Sequence, residues 1–128
     1  MTINPLKRLF KIIIPGTTAV NVPAAEMQAD MVDLALINMS RLFGGATATT
    51  GTGAWMSDDK GLVRESIVIV SSHTDDDGME KNREKALRLA LLVGRRMKQE
   101  SVAVEIDGKL YLMNVEQASN EAELAIAA

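Results

Sequence analysis

Hydrophobic and polar positions change period several times along the chain, and each change marks an element. Residues 9–14 read LFKIII, apolar at nearly every position and rich in β-branched side chains, and stop at Pro15 and Gly16. This pattern predicts a largely buried first strand. From residue 24 the period lengthens: Met27, Met31, Leu34, Asn38 and Leu42 recur at helical intervals, with Gly44 and Gly45 beyond them. A helix over residues 24–43, closed by glycine, follows. Threonine-rich alternation over residues 46–56 suits an edge strand. Asp58, Asp59, Lys60 and Gly61 supply a turn into a second strand over 62–72, making a β-hairpin. Asp77 and Glu80 have the spacing of a reciprocal helix cap, and the helix they open runs to about Glu100. Its inner face is Leu87, Ala90, Leu91, Gly94 and Met97. Strands over 101–106 and 109–115 are joined by Asp107 and Gly108, a strong two-residue hairpin signal.

The order is βαββαβ plus a final strand. Two right-handed βαβ units interleave into one antiparallel sheet with both helices on one face, a ferredoxin-like α+β fold with an additional C-terminal strand. Residues 1–116 form the domain. Residues 117–128 form a tail too short for an independently stable helix. Apolar residues alternate in both directions along 67–70 and 102–106, so the second face of the sheet also needs cover. A homodimer or higher homo-oligomer would supply it; the plain alternative is the tail or the first long loop folding across.

Composition narrows the function classes. With 128 residues the chain is one domain, long enough for a single core without staples. Eight methionines against 3% aromatic residues make that core aliphatic and adaptable. A net charge of −3 argues against nucleic acid or an anionic membrane as partner. With no cysteine, disulfides, thiolate metal sites and cysteine nucleophiles are excluded, and a reducing cytoplasm fits. Lys7, Arg8 and Lys11 interrupt the N-terminal apolar run, which reads as a strand and not as a signal peptide. No run approaches the length of a membrane span.

The densest punctuation lies between residues 42 and 55. Gly44, Gly45, Gly51 and Gly53 stand among small hydroxylated residues, and the sole tryptophan, Trp55, ends the stretch. Its backbone freedom resembles that of a phosphate-cradling loop, yet no Lys-Ser/Thr ending is present and no helix opens after it. A wide hairpin arm is the plainer reading. Trp55 either stacks on a planar ligand or anchors the hairpin. Arg64 and Glu65 point to opposite faces of their strand, and either could orient a ligand or pair across a subunit interface. His73 beside Asp75, Asp76 and Asp77 is the most reactive-looking cluster, suited to general-base work, but the acids also have the task of capping a helix. No second ligand set supports a metal. Lys81, Arg83, Lys85, Arg88, Arg95, Arg96 and Lys98 read as the solvated face of the second helix.

Gly45, Thr47, Gly51, Gly53, Trp55, Gly61, Arg64 and Glu65, followed by Gln99, Glu100, Ser101 and Val102, resemble the sparse pattern of a small uncharacterised domain family of bacteria and phages. The resemblance spans about half the chain and implies a small α+β fold in a phage or mobile-element setting. The leading expectation is a small non-enzymatic oligomer that sequesters a small, nucleotide-like molecule or a protein partner. Gly51, Gly53, Trp55 and Arg64 would bind the ligand, with no cofactor and no metal. The alternative is an enzyme at a subunit-interface cleft, with His73 as general base and Glu65 or Asp75 as orienting acid.

Overall fold

A computed structural model describes residues 1–18 and 22–115. Its elements are β1 (Arg8–Ile14), β2 (Thr17–Thr18), β3 (Val22–Pro23), α1 (Ala25–Phe43), β4 (Thr47–Ser57), β5 (Gly61–Thr74), α2 (Asp76–Arg96), β6 (Ser101–Ile106) and β7 (Lys109–Asn114). Five strands form one sheet in the order β4-β5-β1-β6-β7, and every neighbouring pair is antiparallel. This is the ferredoxin-like order with an added edge strand. The expectation that placed a tail at residues 117–128 lies outside the described residues.

The register shows which side chains share a face. Phe10 stands between Ser72 and Ile106, and Ile12 between Val70 and Val104. These even-numbered positions, with Ile14, are buried under the helices. From α1, Met31, Ala35 and Met39 join them; from α2 come Met79, Ala86, Leu89, Ala90 and Val93, with Met97 just beyond its end. The few aromatic rings are placed where they count: Phe10 stacks on Phe43 with centroids 6.1 Å apart, tying the end of α1 to the middle of the sheet. Met27, the first of the helically spaced positions, is 38% exposed. It sits in the first turn of α1, next to Gln28, whose side chain reaches the Ser66 carbonyl of β5.

The ends of α2 differ from the sequence expectation. Asp75, not Asp77, is the N-cap, its Oδ1 accepting the Gly78 N–H at 2.7 Å. The helix stops at Arg96 because the next residues make a Schellman turn: the Gln99 N–H donates to the Gly94 carbonyl at 2.9 Å, and that of Lys98 to the Arg95 carbonyl at 3.1 Å. Lys98 occupies the left-handed position that glycine usually fills, at φ 56°. The turn fixes Gln99 rigidly at the entrance to β6.

At the opposite end of the sheet one arginine joins three elements. Arg8 donates from Nε to Asp107 at 2.8 Å and from Nη1 to Asp76 at 3.1 Å, and the Leu9 N–H donates to the other Asp107 oxygen at 2.9 Å. Asp107 (φ 51°) and Gly108 (φ 85°) form the tight β6–β7 turn expected from sequence. The Leu9 N–H, and after it Arg8, hold the Asp107 carboxyl below the usual carboxylate range, against the opposing cost of its desolvation. A folded-state value below the unfolded one of about 3.9 means that this contribution is present above pH ~4 and fades as pH falls through the folded value. Asp107→Asn is therefore expected to lower the thermal midpoint at pH 7 by about 1–3 °C, solvent screening keeping the effect small. The gap to wild type should close as pH falls below about 4 in parallel thermal scans. A gap that stays constant with pH would show that the charge of Asp107 contributes nothing.

Among the described residues, no helix is long and apolar enough to cross a membrane.

Candidate functional site

The second face of the sheet is covered by neither helix. Its positions are the odd-numbered residues of β1, β4, β5 and β6, with Leu110 and Leu112 of β7. Ile13, Ile69 and Ala103 lie along its middle, half-buried, and Leu112 at its edge is 71% exposed. Lys11 and Glu105 face one another here in register and pair at 3.0 Å. This is an apolar surface carrying one ion pair.

At one end, β4 and β5 outrun the rest of the sheet. β1 pairs with β5 only from Val68 to Thr74, so residues 51–57 and 61–67 project as a two-stranded arm. On the far face of that arm Gly51 opposes Ile67, Gly53 opposes Glu65, and Trp55 opposes Val63. Two glycines side by side leave bare backbone. Ile67 spreads over it, 3.4 Å from where a Cβ would stand on either glycine, and next to Gly53 only a backbone oxygen of Glu65 comes within 4 Å otherwise. The two missing side chains leave a gap on this face, a shallow hollow that Ile67 partly fills and that Val63 and Trp55 flank, the last 53% exposed. Glu65 stands within it, half-buried.

The chain that follows β1 completes this corner. Gly16 crosses so close to β5 that a Cβ on it would collide with the Ser66 carbonyl oxygen, so glycine is required there. The approach brings Thr17 beside Glu65, where the Thr17 hydroxyl donates to Oε2 at 2.6 Å. Gln28 of α1 donates to the Ser66 carbonyl at 3.2 Å, and Gln99 donates to the Thr17 carbonyl at 2.7 Å. A half-buried carboxylate held by a hydroxyl, beside an exposed indole and the side chains of Ile67 and Val63, suits a ligand that is planar in one part and cationic in another.

The sequence-predicted residues divide between places. Gly51, Gly53 and Trp55 converge on the hollow. Arg64 does not: it pairs with Ala54 on the opposite face of the arm and is exposed. Glu65 belongs with the hollow, whereas His73 lies eight residues along the same strand, about 26 Å away at strand rise. His73 is exposed opposite Leu9, and Asp75 is engaged as the cap of α2. The structure thus separates His73 and Asp75 from Glu65 within one chain. Among the described residues, no group of three or more His, Asp or Glu side chains is placed to hold a metal ion. Thr17 and Gln28 escaped the sequence reading. Their signal was faint: a Pro-Gly-Thr run leaving a buried strand, and a polar residue on the first helical turn.

No family model matches the chain, and no curated protein is similar to it. Solved structures that share its fold include two of a phage enzyme. One is a phage SAM lyase in its apo state, with a TM-score of 0.67 and 22% identity; the other is a phage SAM lyase in complex with S-methyl-5'-thioadenosine, with a TM-score of 0.63 and 17% identity. Each match covers 93% of this chain and 98% of the other. At these identities the likeness establishes the fold, βαββαβ with an added strand. Residue roles must come from the site itself.

Proposed function

We propose that the chain is a small enzyme of the SAM lyase kind, acting on S-adenosylmethionine in a phage setting and in the cytoplasm where that metabolite is made. Of the two readings the sequence left open, the enzyme is favoured over the non-enzymatic binder. One observation carries the proposal: the fold matches two phage SAM lyase structures over nearly the full length of both chains, and on that fold this chain places the Glu65 carboxylate at its exposed arm. The proposed site keeps Gly51, Gly53 and Trp55 of the expected ligand set and Glu65 of the alternative, and leaves out Arg64, His73 and Asp75.

The chemistry asks little of the protein beyond binding and orientation. To release S-methyl-5'-thioadenosine, the bond between the sulfonium sulfur and the amino-acid chain breaks, and its electron pair stays on sulfur. The carbon left behind is satisfied either by its own carboxylate or by loss of a proton from its neighbour. Water and redox partners do not enter the balance. Glu65 would face the sulfonium cation, Trp55 would stack on the adenine or cover the cation, and the bare backbone at Gly51 and Gly53 would let the ligand lie flat. An open hollow admits water, so closure by a second copy of the chain across the far face belongs to the same proposal.

Incubating the purified protein with S-adenosylmethionine labelled in its methyl group tests this, with labelled S-methyl-5'-thioadenosine followed by liquid chromatography and mass spectrometry. Many equivalents of product per protein chain support the enzyme. Tight, unconverted binding would return the binder reading, and neither conversion nor binding would sink both.

A further inference from the structure

The registers of β1 align one polar row across the end of the sheet. Extending the β1–β5 pairing three residues past Ile14 sets Thr17 opposite Glu65, and extending the β1–β6 pairing four residues past Ile13 sets Gln99 opposite Thr17. Gly53 already opposes Glu65 on the other side. The row therefore reads Gly53, Glu65, Thr17, Gln99, and hydrogen bonds of 2.6 Å and 2.7 Å join its last three members.

Each link has a rigid backing. Gln99 is pinned by the Schellman turn that ends α2, and its side-chain Nε2 donates to the Met97 carbonyl at 3.1 Å as well as to Thr17. Thr17 is reached through Gly16, whose carbonyl accepts from the Ala24 N–H at 3.0 Å and whose missing side chain permits the crossing over Ser66. A glutamate on a two-stranded arm would otherwise be free to turn. Its strand is supported on one side only, by β4, because β1 has stopped.

We propose that Thr17 and Gln99 are positioning residues: a relay from the C-terminal turn of α2 through the Thr17 carbonyl and hydroxyl that fixes the Glu65 carboxylate over the hollow. This rests on the reading of Glu65 as the group that meets the substrate cation. It goes beyond that reading because neither residue touches the hollow floor; both act through Glu65. The relay also makes the site answer to the packing of the C-terminal turn of α2, three strand spacings across the sheet from β4 and Trp55.

The test uses four variants of the full chain, Thr17→Val, Thr17→Ser, Gln99→Leu and Gly16→Ala, with two readouts. Nuclear magnetic resonance couplings of Glu65 report whether its side chain keeps one rotamer, independently of any activity. Steady-state release of S-methyl-5'-thioadenosine reports kcat and KM. Thr17→Val is expected to average the Glu65 rotamers and to raise KM about 10- to 100-fold, since a carboxylate that no longer faces the sulfonium loses most of its attraction for it. The thermal midpoint should stay within a few degrees of wild type. Thr17→Ser keeps the hydroxyl and should restore both readouts. Gln99→Leu should loosen Glu65 to a smaller degree, and Gly16→Ala should displace Thr17 and act like Thr17→Val. A single Glu65 rotamer in Thr17→Val, or no rescue by serine, overturns the relay. A wild-type protein whose Glu65 is fixed through Thr17 but which releases no product keeps the relay and refutes the enzyme reading, so the two failures are distinguishable.

Discussion

Replacing Glu65 by glutamine is expected to weaken binding of S-adenosylmethionine, and to raise its KM, at least about 100-fold while leaving the fold intact. The substitution preserves shape and an acceptor oxygen, so Thr17 can still donate to the side chain in the geometry that Glu65 shows at 2.6 Å. What it removes is charge. A carboxylate about 4 Å from a sulfonium interacts by about 4 kcal/mol at the effective dielectric of a partly buried site, enough to account for more than a hundredfold in affinity. The product is a neutral thioether and gains none of this. The diagnostic measurement is therefore a ratio: calorimetric affinity for S-adenosylmethionine against that for S-methyl-5'-thioadenosine, in wild type and in Glu65→Gln. Loss for the cation alone supports the electrostatic role. Equal loss for both ligands would move Glu65 to the shared thioadenosine portion, and an unchanged ratio with unchanged turnover would remove it from the site.

Much of the fold was legible because the elements differ in period and their ends carry turn chemistry. The apolar run of β1, the Asp107–Gly108 turn and the helical spacing of Met31, Asn38 and Leu42 each pointed to one structure, and the strand order then followed from handedness and pairing rules. The helix cap was misplaced by two residues because three consecutive aspartates offer the same side chain, and only backbone geometry selects Asp75. The site was half legible. Gly51, Gly53 and Trp55 stood out by composition, and alternation separated Arg64 from Glu65 onto opposite faces without saying which face mattered. The row through Thr17 and Gln99 was invisible for a physical reason: it joins residues 48 and 82 positions apart along the chain, and depends on two strand registers that local pattern does not encode. His73 drew notice as a reactive type among acids. Its neighbours are explained by capping, and its strand carries it away from the hollow.

Ile69→Glu is expected to convert an oligomer into folded monomers and to abolish product release with it. Ile69 sits between Ile13 and Thr49 at the middle of the sheet face that neither helix covers, so a glutamate there reaches water in a lone chain and costs the fold little. Against a second copy the same carboxylate would be buried among Ile13, Ala103 and Ile67 without a cation to spare, since Lys11 already pairs with Glu105 at 3.0 Å. Burying an unpaired charge in an apolar contact costs several kcal/mol, which weakens association by about a thousandfold or more. Ile37→Glu makes the same change of charge on the outside of α1, where Ile37 is already 50% exposed, and should leave both assembly and turnover as they were. Sedimentation velocity on the three proteins decides the matter. A wild-type oligomer, a monomeric and inactive Ile69→Glu with its thermal transition retained, and an unaffected Ile37→Glu would tie the hollow at Glu65 to closure by a neighbouring chain. Full turnover by monomeric wild-type protein would mean that a single arm, with Trp55 alone over the glycine floor, shields the reaction from water.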